Sequence, residues 1–254
     1  MSQNQEFTDY RPSSGLLANK IIAVTGAGAG IGRAAALGFA QHGATVILLG
    51  RTIKKLEAVY DAIVAEGGAE PAIYPINFEG AAETDYEDMA ANFAKEFNCL
   101  DGLLHNASDL GQRTPLSQYS AKVWTAVLQT NVTAQFLMTK ALLPLLDKSP
   151  NASLIFTGSS VGYQGRAFWG AYAVSKAATE NMMQIWAAEL EEVTHIRVNS
   201  INPGATRTKM RANAYPGEEP SKLKKPEEIL GVYYYLMGDD SIGVTGQQFL
   251  AQKK

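Results

Sequence analysis

The sequence predicts a single doubly wound α/β domain with a mostly parallel sheet of about seven strands. Three observations carry this. Short apolar runs alternate with longer helix-compatible segments, the pattern of repeated βαβ units, and the first run leads straight into a glycine-rich turn. The length of 254 residues suits one α/β unit, and 46% hydrophobic residues against 19% charged supply a substantial core.

The strands are expected at Lys20–Thr25, Thr45–Gly50, Ala72–Asn77, Gly102–His105, Ser153–Thr157, His195–Ile201 and Gln248–Ala251. Runs such as Ile21-Ile22-Ala23-Val24 and Val46-Ile47-Leu48-Leu49 are apolar at successive positions, so both faces of the sheet should be covered. Helices are expected at Ile31–His42, Ile53–Glu66, Asp85–Phe97, Val123–Leu146, Ala171–Leu190 and Pro226–Met237, with a kink or break near Pro144. Pro203 to Lys225, rich in Pro, Gly and charge, is the one long connection, and such connections often act as lids. Met1–Ser14 is polar and has no apolar signal-peptide core; it is read as an N-terminal extension, residues 1–14, before a domain of residues 15–254.

Composition excludes several functions. With 22 Lys and Arg against 25 Asp and Glu, the net charge is −3, so no general attraction for nucleic acid or an anionic membrane is expected. No apolar run approaches a membrane span. The lone Cys99 cannot form an intrachain disulfide, and His42, His105 and His195 are too scattered for metal-ligand spacing, so no metal is expected. A cytoplasmic location fits this cysteine usage.

The first strand runs into Thr25-Gly26-Ala27-Gly28-Ala29-Gly30-Ile31-Gly32 and then an alanine-rich helix. Strand, glycine turn and helix N-terminus together make a phosphate site of the Rossmann-like kind, where backbone N–H groups and the helix dipole face the anion. An NAD-binding turn ordinarily has an acid about 20 residues on, for the ribose 2′-hydroxyl. Here Gly50-Arg51 stands at that place. A guanidinium binds a 2′-phosphate where a carboxylate would repel it, so NADP(H) is preferred over NAD(H); a solvated turn arginine is the competing reading.

Tyr172 and Lys176 are four residues apart in Gly170-Ala171-Tyr172-Ala173-Val174-Ser175-Lys176, which puts both on one helix face. A neighbouring ammonium should lower the phenol's pKa and make it a proton donor-acceptor. Such pairs are usually surface neighbours, but Ser159 lies at the end of the Ser153–Thr157 strand, thirteen residues before Tyr172, where strand ends of a parallel sheet meet ligands.

Thr25, Gly26, Gly30 and Gly32 spell T-G-x-x-x-G-x-G, and together with Ser159, Tyr172 and Lys176 they resemble the short-chain dehydrogenase/reductase family. The resemblance spans about Leu16 to Leu250 and implies further roles. Asn131 matches the helix asparagine that links Lys176 to a proton-relay water, and Lys176 should also hold the nicotinamide ribose. Asn77-Phe78 stands where the family has Asp against adenine, and Asn106 begins a segment in which Ser108 replaces glycine. Pro203, Gly204, Thr206 and Thr208 resemble the segment that meets the nicotinamide carboxamide. With Gly28, Ile31 and Arg51, and with Tyr172 and Lys176, these complete the expected cofactor site. After Thr245-Gly246-Gln247 the family's D-G-G is missing, so the last strand is expected to pack differently. Val46–Arg51, Gly158–Tyr172 and Pro203–Met210 are similar to the bacterial YciK-like branch, which implies no particular substrate.

The resemblance therefore implies an oxidoreductase moving hydride between NADP(H) and a carbonyl or alcohol, with Ser159, Tyr172, Lys176 and Asn131 catalytic. A non-catalytic NADP(H)-binding sensor is the alternative, although it would need no proton donor. Asp109, Leu110, Tyr163, Gln164, Phe168, Trp169 and part of Ala205–Pro220 are the expected substrate-pocket residues. Surplus apolar positions on Val123–Leu146 and Ala171–Leu190, helices that pair between subunits in the family, imply a homodimer or homotetramer.

Overall fold

The structure, a computed structural model, describes residues 10–252. Its seven strands are β1 (Ile21–Thr25), β2 (Thr45–Gly50), β3 (Ala72–Pro75), β4 (Gly102–His105), β5 (Ser153–Thr157), β6 (Arg197–Asn202) and β7 (Gln248–Leu250). They form one all-parallel sheet in the order β3-β2-β1-β4-β5-β6-β7. The reversal between β1 and β4 makes the crevice at the strand C-termini where ligands of such sheets bind.

Nine α-helices connect and cover the strands among the described residues: α1 (Gly30–Gln41), α2 (Ile53–Ala65), α3 (Glu83–Glu96), α4 (Ala121–Leu128), α5 (Ala134–Leu146), α6 (Ser160–Tyr163), α7 (Gly170–Leu190), α8 (Lys209–Ala214) and α9 (Gly231–Met237). Two apolar cores result, one on each sheet face. Val24, Val46 and Leu48 point to the side of Phe39, Val59 and Tyr233, whereas Ala23, Ile47 and Leu49 point to that of Met89, Leu142 and Met183. This is the two-sided burial that unbroken apolar strands require.

Where the sequence suggests one helix from Val123 to Leu146, the backbone makes two, joined by a π-helical turn at Gln129–Thr133. The interruption is not at Pro144; α5 runs through that proline and ends at Leu146. The Pro203–Lys225 connection is more ordered than its composition suggests. It holds α8, capped by the Thr208 hydroxyl accepting from Arg211 N, and is pinned at its base by a bridge between Thr206 and Lys224.

β7 takes the sheet edge beside β6, with Ser200 opposite Gln248 and Asn202 opposite Leu250. Of the expected N-terminal extension, residues 1–9 lie outside the described residues. Tyr10 packs edge-on against Tyr235, with ring centroids 5.7 Å apart, and its hydroxyl donates to Asp240. That end of the segment is therefore fastened to the domain. No helix among the described residues is long and apolar enough to cross a membrane, and no cluster of metal-binding side chains occurs among them.

Candidate active site

β5 delivers the chain to Thr157, Gly158 and Ser159, and α7 presents Tyr172 and Lys176 one turn apart beside it. Ser159 and Tyr172 face the same cavity, and the Ser159 hydroxyl acts on the phenol by favouring its ionised form. Lys176 Nζ lies beneath them, 5.6 Å from the Tyr172 ring centroid, and donates to the Thr157 carbonyl at 2.7 Å. Ser159 and Tyr172 line a cavity of about 500 Å³, whereas Lys176 is buried below its floor.

The electrostatics depart from the expectation that Lys176 lowers the phenol's pKa. Burial disfavours the phenolate and pushes Tyr172 up to about 12, with the Ser159 hydrogen bond pulling the other way. Burial also lowers Lys176, to about 8, against the Glu180 carboxylate, which raises it. At neutral pH the site therefore presents a protonated phenol above a mostly protonated ammonium. Burial keeps the proton on the phenol in this state, and the ammonium 5.6 Å from its ring is placed to stabilise the phenolate once a proton is given up.

Asn131 lies in the π-helical turn, a feature that recurs at functional sites because it redirects side chains out of the regular ladder. Its Oδ1 accepts from Asp109 N at 2.7 Å, while Nδ2 donates to Asp109 O and to Ser175 Oγ, each at 2.9 Å. The Asn131 carbonyl accepts from Thr179 Oγ1 at 3.2 Å. These bonds hold the loop after β4 against α7, so the observed role of the side chain is to position this loop and helix.

Sequence reasoning missed Glu180. It follows Lys176 by one helical turn, is buried, and accepts three hydrogen bonds: from Tyr163 Oη at 2.9 Å, Ser200 Oγ at 2.6 Å and Gln248 Nε2 at 2.9 Å. The four-residue interval from Tyr172 to Lys176 to Glu180 was the available signal.

The glycine turn is shaped by close approach. Gly26 has φ +68°, and a Cβ on Gly32 would sit 2.4 Å from the Gly26 carbonyl, so a side chain at Gly32 would force the turn apart. Thr25 Oγ1 accepts from Asn106 N at 2.8 Å and Ala107 N at 2.9 Å, and Asn106 Nδ2 donates to Thr25 O at 3.1 Å. Thr25 and Asn106 thus join the ends of β1 and β4.

Gly26, Gly28, Arg51, Asn77 and Phe78 line a second cavity of about 330 Å³, together with Lys55, which the sequence reading missed. Arg51 and Lys55 are exposed cations with no side-chain partner among the described residues, although Glu79 and Asp109 also border this cavity. Ile31, Pro203, Gly204, Thr206 and Thr208 line the larger cavity instead. The two cavities flank the glycine turn, one carrying cations suited to a 2′-phosphate and the other the Ser159–Tyr172 pair, an arrangement that fits a phosphorylated dinucleotide. Gln252, another residue not anticipated, donates to Pro203 O at 2.7 Å and Ala205 O at 3.1 Å and so braces the loop after β6 from just beyond the end of β7.

Of the expected substrate-pocket residues, Leu110, Trp169 and the Ala205–Tyr215 portion of the lid line the larger cavity. Asp109 faces the second cavity, Tyr163 is bound to Glu180, and Tyr163, Gln164 and Phe168 do not line the larger one. Phe168 is exposed and has φ +69°, which turns its ring away while its neighbour Trp169 goes in. Trp169 packs on Tyr215 at 5.9 Å; Arg113 stacks over Trp169 at 4.0 Å and Arg211 over Tyr215 at 3.9 Å. Arg113 also donates to Ala214 O at 3.1 Å, so this ladder fastens α8 to the loop after β4.

A family model described as short chain dehydrogenase matches residues 20–219. The chain is 51% identical over 243 residues to the uncharacterized oxidoreductase YciK of Escherichia coli K12, covering 96% of each. A crystal structure described as a short chain dehydrogenase from Shigella flexneri 2a, complexed with NADP, is 50% identical with a TM-score of 0.93, covering 95% of this chain and 100% of that one. Another, from Escherichia coli CFT073 and complexed with NADPH, is 51% identical at the same TM-score and the same coverage.

Proposed function

The chain belongs to the short-chain dehydrogenase family, and on that premise we propose that it transfers a hydride between NADP(H) and a carbonyl or alcohol carbon, with Tyr172 handling the proton. The observation that carries this reading is the presence of Ser159 and Tyr172 together on the lining of the larger cavity, with the buried Lys176 Nζ 5.6 Å from the Tyr172 ring centroid. A carbonyl oxygen placed between the two hydroxyls accepts a hydrogen bond from each, which polarises the carbon. Tyr172, held protonated by its burial, gives its proton to the developing alkoxide, and the Lys176 ammonium, 5.6 Å from the ring, stabilises the phenolate that remains.

The bound dinucleotide supplies the hydride. Arg51 and Lys55 would hold its 2′-phosphate, Gly26 to Gly32 its pyrophosphate, and Pro203 to Thr208 its nicotinamide end. The NADP and NADPH complexes of the similar structures support this choice of cofactor. Asn131 keeps the loop after β4 seated on α7. The sensor alternative has no use for a buried tyrosine–lysine pair.

Spectrophotometric NADPH oxidation with a panel of aldehydes, ketones and 3-oxoacyl thioesters tests the reading. Turnover of at least one class is expected. Tight NADPH binding without turnover of any closely varied carbonyl would favour the sensor.

A further inference from the structure

The wall of the larger cavity is cationic. Arg166 and Arg211 line it and no aspartate or glutamate does, in contrast to the second cavity, which Glu79 and Asp109 border. Arg211 is neutralised by Glu218, whose two oxygens each accept from its guanidinium at 2.6 Å. Arg166 is different. It stands exposed to solvent on the loop between α6 and α7, borders the cavity, and its side chain has no partner among the described residues.

Behind the wall, Arg113 adds a third positive charge, stacked on Trp169, and its buried Nε has no hydrogen-bond partner. The rest of the lining near Tyr172 is largely apolar: Leu110, Val161, Met210 and Ala214. Positive charge facing an apolar, partly enclosed space gains most from an anion brought into that space, and a planar guanidinium suits a carboxylate or phosphate through paired hydrogen bonds. The cofactor's phosphates do not account for Arg166, since the glycine turn, Arg51 and Lys55 serve them.

We infer that the substrate is an apolar-bodied carbonyl compound carrying an anionic group, a carboxylate or a phosphate monoester, which Arg166 binds while the carbonyl rests on Ser159 and Tyr172. This rests on the reductase reading above and names its substrate class.

Paired substrates test it with the NADPH-loaded protein. 4-Carboxybenzaldehyde and 4-formylphenyl phosphate are compared with methyl 4-formylbenzoate, a neutral analogue of the acid. The wild type should prefer at least one anion to the ester by about tenfold or more in kcat/KM, chiefly through KM, and the better anion identifies the group. Arg166→Gln should reduce that preference to near unity while the Kd for NADPH is retained. Equal use of acid, phosphate and ester by the wild type, or a preference that survives Arg166→Gln, overturns the inference.

Should no carbonyl turn over, the reductase reading fails, and the anion site is judged separately. Calorimetry on the NADP-loaded protein then compares benzoate and phenyl phosphate with benzamide. Tighter binding of either anion, lost in Arg166→Gln, supports the site, and indistinguishable binding of all three overturns it.

Discussion

The Glu180 carboxylate raises the pKa of the Lys176 ammonium, four residues earlier on α7, against the burial that lowers it. Three donors from three other elements converge on that carboxylate: Tyr163 of α6, Ser200 of β6 and Gln248 of β7. In the proposed mechanism the lysine beside Tyr172 is useful only while charged, and Glu180 extends the pH range over which it stays so.

The reductive kcat/KM should accordingly fall as pH rises through about 8, where Lys176 loses its proton. Glu180→Gln removes the charge that raises Lys176, so this alkaline limb should move to lower pH. A pH–rate profile checks it: a reduced plateau with an unmoved limb would assign Glu180 to structure alone.

Tyr172→Phe deletes the hydroxyl and keeps the ring that packs on Trp169 at 5.6 Å. Turnover should drop by ~10²–10⁴, the usual contribution of a positioned general acid, with NADPH affinity nearly unchanged. Ser159→Ala should mainly lower kcat, and Lys176→Ala should weaken cofactor binding as well. Wild-type turnover by the Tyr172→Phe variant would refute the assignment.

Arg51→Ala should weaken NADPH binding by about 1.5–3 kcal/mol, the range for a hydrogen bond to a charged group, and leave NADH binding nearly unchanged. Fluorescence titration with both cofactors measures the difference. Equal losses would show that Arg51 does not read the phosphate.

His105 is fully buried, stacked on Phe156 at 4.9 Å and bonded to Thr139 Oγ1 at 2.9 Å. Burial, with Lys176 adding to it, lowers its pKa from 6.5 to about 3. Between those values the unfolded chain takes up a proton that the native state refuses, so stability falls as pH falls below about 6.5. Urea unfolding at pH 7 and pH 5 should show a loss from this residue of about 2 kcal/mol, absent in His105→Asn.

Phe136 on α5 and Val174 and Ile185 on α7 are exposed apolar side chains on the two helices whose surplus the sequence showed. A homodimer or homotetramer is expected, with light scattering at micromolar concentration giving two or four times the chain mass. A monodisperse particle of one chain's mass would rule this out.

The sheet was legible because β1 and β2 are nearly unbroken apolar runs set between helix-compatible segments, and the Ser159–Tyr172–Lys176 set because its spacings are local to one strand end and one helix. The π-helical turn was hidden, since one extra residue in a turn leaves the apolar pattern of Val123–Leu146 almost undisturbed. Glu180 lay at the right interval, but its partners Ser200 and Gln248 are 20 and 68 residues away in sequence, and only the β6–β7 pairing brings them in. The electrostatics were misjudged for a related reason. Proximity of Lys176 to Tyr172 follows from the helix, whereas the burial that outweighs it depends on every element packed around the pair.

The ladder of Arg113, Trp169, Tyr215 and Arg211 is at once the latch of α8 and part of the cavity's boundary. Swinging α8 outward would unstack Arg113 from Trp169 and dissolve the very surface that distinguishes one ligand from another. Three of the four, Trp169, Tyr215 and Arg211, line that cavity, and Arg113 holds them from behind. A variant that loosens the latch should exchange ligands faster and choose among them less well, so throughput and selectivity in this enzyme are expected to trade against each other.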